Sequence, residues 1–564
     1  MPRVKPVMRI LFASILLLFI FFMVMPLIVL LIRSFQGEMG YTFANYVSVW
    51  KNSETVTSII NSFKVSALTA LITTALGFVL AYAIHCTNIY RPIKSVVRTA
   101  VVVPMLLPTI TYGFAIMYSF GNQGLITRIV GKNLFPIYGF NGLLTGYVIY
   151  TLPLTFLLLH HGFQYFDKRF LIVSKLMGDG TVRSFLHTVL RPMAGALGGA
   201  FVTSFILSFT DFGIPASVGG TYPVIATELY QIMLGSIPDF NQGAVVAILM
   251  LIPAVFGVWL LNGLERLNFH YDRLDKIELP RHRVRDIGFG FASCAILFSM
   301  LSVFAIMFIA PWLAGYPYDL TFTFKHVKNV LNSSSLTDVY RHSLGLALFT
   351  ALFGTLTAYG AALLNARTRI KGKSVLDSVA MLTNTLPGMV LGISYLLLFN
   401  NSSLKNTFTI LVLCNIVHFF TTPYLMAKNA LSKMNRSWET TGELLGDSWL
   451  QTVYRVILPN SAATVIEMFS YYFVNAMVTI SGLIFLVSAR TSVVASTIKE
   501  LQHFEKFNEI FVLSLLIFFT NLTVKGVCDF LQKKAPVIGR FHIRPFSNLK
   551  IKFVKARDIY VEND

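Results

Sequence analysis

The chain has 564 residues, 55% of them hydrophobic and only 13% charged, and a net charge of +20. Soluble domains carry roughly 25% charged residues, so a string of soluble domains is excluded. Mean hydropathy is +0.66, and the useful count is of membrane spans of about 20 residues each.

Arg3, Lys5 and Arg9 precede an apolar run from Ile10 to Ile32. The run is too long for a signal-peptide core and lacks a small-residue cleavage site, so it reads as a retained first span. Further spans of a first half are predicted near 58–84, 99–120, 142–160, 193–213 and 242–262. After the fourth comes a polar, amphipathic stretch, KLMGDGTVRSFLHTVLRP, from Lys175 to Pro192. His160-His161, at the edge of the fourth span, shows no spaced partner for a metal. Asp211, in SFTDFG, is an isolated charge near the outer end of the fifth span. An intramembrane charge is costly, so Asp211 is a candidate for the pathway or outer gate. The competing reading is a helix-end acid that reaches water. The loop Gly213 to Asn241 includes PVIATELYQIM and reads as a short surface or re-entrant helix.

The second half repeats this order, with spans near 287–313, 343–364, 378–399, 408–426, 461–486 and 507–530. Gly372-Lys373-Ser374 is not a phosphate-binding loop, because Arg367 stands where such a loop needs glycine. A second polar helix, ELLGDSWLQTVYRVILP, runs from Glu443 to Pro459. Its Leu444, Leu445, Leu450, Val453, Val456 and Ile457 recur at helical spacing. Gly446 permits a sharp turn there, and Asp447 can cap a following helix. Two short helices joined by a bend are therefore expected in both copies. Glu467 lies about two turns past Pro459 and is either a polar contact between helices or a pathway charge. The loop Val487 to Asn508, with SVVASTIKELQ, is a second outer helix. The four cysteines, Cys86, Cys294, Cys414 and Cys528, read as small core residues.

The basic residues fix an orientation. Arg91, Lys94 and Arg98, the six between Arg266 and Arg285, the Arg367-to-Lys373 group and the C-terminal tail share one side if twelve spans begin and end there. The positive-inside rule makes that side the cytoplasm. Both termini and both polar helices then face it, and no nucleic-acid role is needed for the charge.

The halves are an internal duplication. LPTITYGFAIMYSFGN at Leu107 matches LPGMVLGISYLLLFNN at Leu386, with Pro108 and Pro387, and Gly113 and Gly392, at one offset of 279. Gly178-Asp179 matches Gly446-Asp447 at 268, and VIAT at Val224 matches VVAS at Val493 at 269. Ile480 stands where the first half has Asp211. The expected fold is an all-α polytopic membrane protein of two parallel six-helix repeats, residues 1–270 and 271–537, with a basic tail at 538–564. Parallel repeats share a pathway near a pseudo-twofold axis along the membrane normal, and Pro108 and Pro387 join Asp211 and Glu467 as candidate pathway or outer-gate residues.

The repeated polar helices resemble the EAA signature of binding-protein-dependent ABC importer permeases. The second copy keeps Gly446 and Pro459 at the family spacing but has Thr440-Thr441-Gly442 for the Glu-Ala-Ala triplet, with Glu439 one place early. The first copy has Ile172-Val173-Ser174, and its Pro192 lies one residue further from Gly178. The resemblance implies a type I importer fold, in which these segments are coupling helices. Gly178, Asp179, Pro192, Glu439, Gly446, Asp447 and Pro459 would then serve contact with two copies of a cytoplasmic ATPase subunit. ATP and magnesium would belong to that partner, leaving no catalytic, metal or cofactor site here. An extracytoplasmic binding protein would deliver the solute at a bacterial-type inner membrane. SFTDFG, LPGMVLGISYLLLFNN and VTISGLIFLVSAR look like fused permeases for ferric iron and for 2-aminoethylphosphonate. The SVGG…VIATELYQ stretch looks closer to the phosphonate group, with ferric iron as the alternative. A carrier driven by an ion gradient would leave the paired polar helix unexplained.

Overall fold

The computed structural model describes residues 5–38, 40–265 and 280–542. The boundary expected near 270 and the tail after His542 lie outside the described residues. Long apolar sequence becomes helix because backbone groups in hydrocarbon must find partners within their own segment. Strand among the described residues is confined to two small antiparallel hairpins, Gln36–Gly37 with Gly40–Tyr41 and Leu313–Gly315 with Asp319–Phe322.

Among the described residues seven helices are long and apolar enough to cross a bilayer: Pro6–Phe35 (α1), Ser53–Cys86 (α2), Phe140–Gln164 (α3), Phe240–Leu261 (α4), Arg283–Trp312 (α5), Ser334–Arg367 (α6) and Phe507–Lys534 (α7). The helix of α7 continues to His542, past the end expected for the second half. α2 and α6 are both 34 residues long and start 281 positions apart. At 1.5 Å per residue each is about 51 Å, longer than a 30 Å hydrocarbon core.

Among the described residues, four further helix pairs are bent at a short break. Arg91–Leu106 meets Thr109–Val130 at 105°, and its counterpart Lys373–Thr385 meets Gly388–Phe399 at 104°. The expected continuous spans over 99–120 and 378–399 are therefore corrected to elbows. Pro108 and Pro387 are the cause: each precedes the second arm, and Leu107 and Leu386 before them are extended. Proline's ring disfavours helix in the residue before it. Thr181–Leu190 with Ala194–Thr210 bends by 70°, and Phe408–His418 with Thr421–Lys433 by 55°. The eleventh expected span is the 17-residue helix Ala462–Val478.

Each half lends its first span to the other. α1 packs against α6 and Gly388–Phe399, while α5 packs against α2 and Thr109–Phe120. The Tyr395 hydroxyl donates to the Phe22 carbonyl at 2.5 Å, and Ser119 donates to the Val303 carbonyl at 2.8 Å. The sequence halves are thus interleaved in space. Cys86, Cys414 and Cys528 are buried as expected, but Cys294 is exposed on the outer surface of α5.

Candidate functional site

The two polar segments fold alike. In the first, helix Arg169–Leu176 ends at Gly178 and Thr181–Phe185 follows; in the second, Ser437–Leu444 ends at Gly446 and Trp449–Thr452 follows. Gly178 and Gly446 have φ of +79° and +82°, the left-handed conformation that closes a helix C-terminus. The N–H of Asp179 donates to the Ser174 carbonyl, and that of Asp447 to the Gly442 carbonyl, at 3.1 and 2.9 Å. Both are the long-range bond of a Schellman close. Asp447 does not cap the next helix as expected. Ser448 does, in a capping box with Gln451, while Asp447 pairs with Arg455 at 2.9 Å. Asp179 accepts from the Ser174 hydroxyl at 2.7 Å and lies 3.6 Å from Arg183.

Each bend continues into a π-helical turn, Leu186–Leu190 and Val453–Ile457, and reaches Pro192 or Pro459 at the start of the next membrane helix. The extra residue of the first copy is absorbed between Gly178 and this turn, because Thr181–Phe185 is one residue longer than Trp449–Thr452.

The apolar residues of these helices do not all face inward, as an amphipathic surface helix would require. Leu444 and Leu445 are 83% and 79% exposed, and their counterparts Leu176 and Met177 are 82% and 79% exposed. Val182 and Leu450 are a further exposed pair at the same offset of 268. Sequence periodicity finds these residues but not the side they face. Their recurrence at one offset, outside any span, is the signal that could have singled them out.

Glu439 points the other way. It is buried, and its two carboxylate oxygens receive Nε and Nη2 of Arg367, each at 2.5 Å. Arg367 ends α6 and is itself buried, so its reading as a basic loop residue is corrected. Its remaining N–H groups donate to the carbonyls of Leu431, Met434 and Asn435. Cys86 occupies the same place at the end of α2, so the first copy has no such clamp. There Asp167 accepts from both the backbone and side chain of Arg169, which holds its carboxyl below the usual carboxylate range. Gly442 replaces the last residue of the triplet because a Cβ there would lie 2.6 Å from Thr452 Oγ1.

The opposite ends carry the two expected loop helices, Ile225–Leu234 (α8) and Val494–His503 (α9). Each is pinned by the same two bonds. Ser62 accepts the N–H of Ile225 and Asn61 donates to the Pro223 carbonyl; Ser343 accepts the N–H of Val494 and His342 contacts the Ser492 carbonyl. Asp211 is buried, which corrects the reading of an acid that reaches water. It accepts the N–H of Ile214 at 2.9 Å at the start of helix Gly213–Val218, with Gly213 and Thr109 donating as well. The second half has Thr479 in the same backbone conformation and only a 3-10 turn, Leu483–Phe485, beyond it.

Pro108 and Pro387 sit at the two matched elbows. Beyond them Gly113 packs on Ser217 and Gly392 on Gly482, so closely that a Cβ would meet each at about 2 Å. Glu467 is apart from this group: it is exposed, with Gln532 donating to it at 3.3 Å. His160 forms a hydrogen bond with His85 at 2.9 Å. Among the described residues no three His, Cys, Asp or Glu side chains gather into a metal site.

The sequence model of the binding-protein-dependent transport system inner membrane component family matches residues 74–267 and 353–535. The chain belongs to that family. The two matched blocks are the two halves of one fused permease, a multi-pass component of the inner membrane. FbpB 1 of Haemophilus influenzae, named for ferric transport, is 28% identical over 503 residues, which cover 85% of this permease and 78% of that protein. The ferric transport system permease FbpB of Actinobacillus pleuropneumoniae is 26% identical over 508 residues, 86% and 72% of the two chains. A molybdenum transport permease, ModB of Azotobacter vinelandii, is 27% identical over 181 residues, 30% of this permease and 77% of its own length.

Proposed function

We propose that this permease forms the whole membrane pathway of an ATP-driven importer, with two cytoplasmic ATPase subunits on the Gly178 and Gly446 bends and a solute-binding protein at the opposite face. The observation that carries this reading is the matched set of exposed apolar residues, Leu176-Met177 and Leu444-Leu445, on two bends of one geometry. Apolar side chains held in water on a rigid turn are a docking surface, and two equivalent ones fit a partner present twice. The basic loops support a cytoplasmic position for these bends and for both termini. ATP hydrolysis with its magnesium then belongs to the docked subunits. Glu439 serves this contact indirectly, by fixing its helix to α6 through Arg367.

The proposed solute is ferric iron, supported by two relatives named for ferric transport that align over most of the chain. The reading of the Ser217-to-Gln231 stretch as phosphonate-like makes 2-aminoethylphosphonate the second candidate. The test is ATP-dependent uptake by proteoliposomes holding the permease with its ATPase and binding protein. Accumulation of radioactive iron is expected; accumulation of 2-aminoethylphosphonate without iron would reverse the order, and uptake without ATP would overturn the importer.

A further inference from the structure

The offset of 269 that relates α8 to α9 makes Tyr230 and Lys499 counterparts. In the fold they touch: Lys499 Nζ lies 6.0 Å from the centre of the Tyr230 ring. A residue that meets its own repeat mate lies on the pseudo-twofold axis, and in parallel repeats the shared pathway follows that axis. The two helices therefore close over the pathway at this point, one from each half.

The rest of the contact joins the halves as well. The Tyr230 ring packs on Phe212 of its own half at 4.9 Å and on Phe485 of the other at 6.3 Å. Lys499 Nζ donates to the Ala216 carbonyl at 3.3 Å, in the helix that Asp211 caps. Lys499 is half-buried, and none of the ion pairs among the described residues includes it. Two of the nearby acids are engaged elsewhere, and a third, Glu500, lies near Tyr230. Asp211 faces the N–H of Ile214, Glu228 accepts from Thr55, and Glu500 is exposed. Burial pulls the Lys499 ammonium below the usual lysine range. An ammonium has three donors, and one carbonyl and a ring face leave donors open to a passing solute.

We infer that Lys499 is a charge filter at the outer gate and that the solute crosses it as an anion with oxygen acceptors. This rests on the importer reading above. Such a solute is either a free oxyanion, such as a phosphonate, or ferric iron held in a complex of net negative charge; a bare trivalent cation would be repelled at the axis.

The test uses the complete complex with its ATPase and binding protein in proteoliposomes, offered ferric citrate and, separately, 2-aminoethylphosphonate. The two probes distinguish the chelate from the free oxyanion. For whichever is imported, Lys499→Glu should lower uptake at least tenfold while ATP hydrolysis changes less than twofold. Lys499→Arg should keep most of the uptake, and Lys499→Gln should fall between. Exchanging the pair, Tyr230→Lys with Lys499→Tyr, keeps one cation and one ring on the axis and should restore uptake to within about threefold. Equal loss in the Arg, Gln and Glu variants, or full uptake by Lys499→Glu, would overturn the filter. Uptake of neither probe by the unaltered complex would overturn the substrate reading and the filter with it.

Discussion

Arg367 and Glu439 are 72 positions apart in sequence and meet through two parallel N–H···O bonds of 2.5 Å, sealed from solvent. The fork of the guanidinium matches the carboxylate, and three backbone carbonyls take its other donors. The pair joins the end of a membrane helix to the start of the second bend, so a push on that bend is carried into α6. In the first half Cys86 replaces the arginine, and beside that bend Asp167 accepts from the backbone and side chain of Arg169.

Removing one partner of this pair leaves a buried charge without its counterion, which costs about 3–5 kcal/mol. Glu439→Gln and Arg367→Met should each lower the melting temperature of the purified permease clearly. The double variant Arg367→Met with Glu439→Leu should be more stable than either single variant. It should stay below the native protein, because the carbonyls of Leu431, Met434 and Asn435 lose their donor. A thermal unfolding series in detergent checks the order; single variants as stable as the native chain would contradict the clamp.

The glycine of each bend is required by backbone conformation alone. A Cβ at Gly178 or Gly446 would meet nothing within 4 Å, so the cost of Ala there is that of a left-handed residue, about 1–2 kcal/mol. Gly446→Asn should be milder than Gly446→Ala, and Gly446→Val worse than both. Stability measured on the three variants should follow that order, and equal values would show that the turn is not held left-handed.

Leu444 and Leu445 stabilise nothing within the chain that burial could explain. Their replacement by Ser should therefore change thermal stability by less than about 0.5 kcal/mol. Association with the ATPase should weaken at least about tenfold, since burying one leucine is worth about 1.5–3 kcal/mol. Leu176→Ser with Met177→Ser should act in the same way. Titration of detergent-solubilised permease with the ATPase reads both effects, and unaltered binding would show that these side chains do not dock.

The latches at the other end allow a substitution between halves. His342 does the work of Asn61, so His342→Asn should be tolerated. Ser343→Ala removes the acceptor from the Val494 N–H, a loss of about 1–3 kcal/mol if it stays buried. Hydrogen exchange at the Val494 amide should speed up at least fivefold in Ser343→Ala and change little in His342→Asn. Equal exchange in the two variants would contradict the matched latch.

Much of this was legible in the sequence because hydrocarbon forces helix and duplication repeats landmarks. The spans, the offsets of 279, 268 and 269, and the two bends around Gly178 and Gly446 came from those two facts. What could not be read depends on direction and on distant partners. Proline in an apolar run signals a tolerated kink or a full elbow alike, and Pro108 and Pro387 turned out to make elbows of 105° and 104°. Helical spacing marks Leu444 and Leu445 as one face without saying whether that face meets protein or water. Arg367 reads as one of a basic group until Glu439 is brought to it. Asp211 reads as a lone charge because two of its partners are backbone N–H groups, which every residue but proline carries, and the third is the distant Thr109 side chain.

The central claim is that the two bends are the sites where the ATPase subunits attach. Cysteine placed at Asp179 or at Asp447, in a chain whose own four cysteines are replaced, should form a short-range cross-link to the co-purified ATPase from either position. A complex that still imports solute but cross-links from neither position would contradict it.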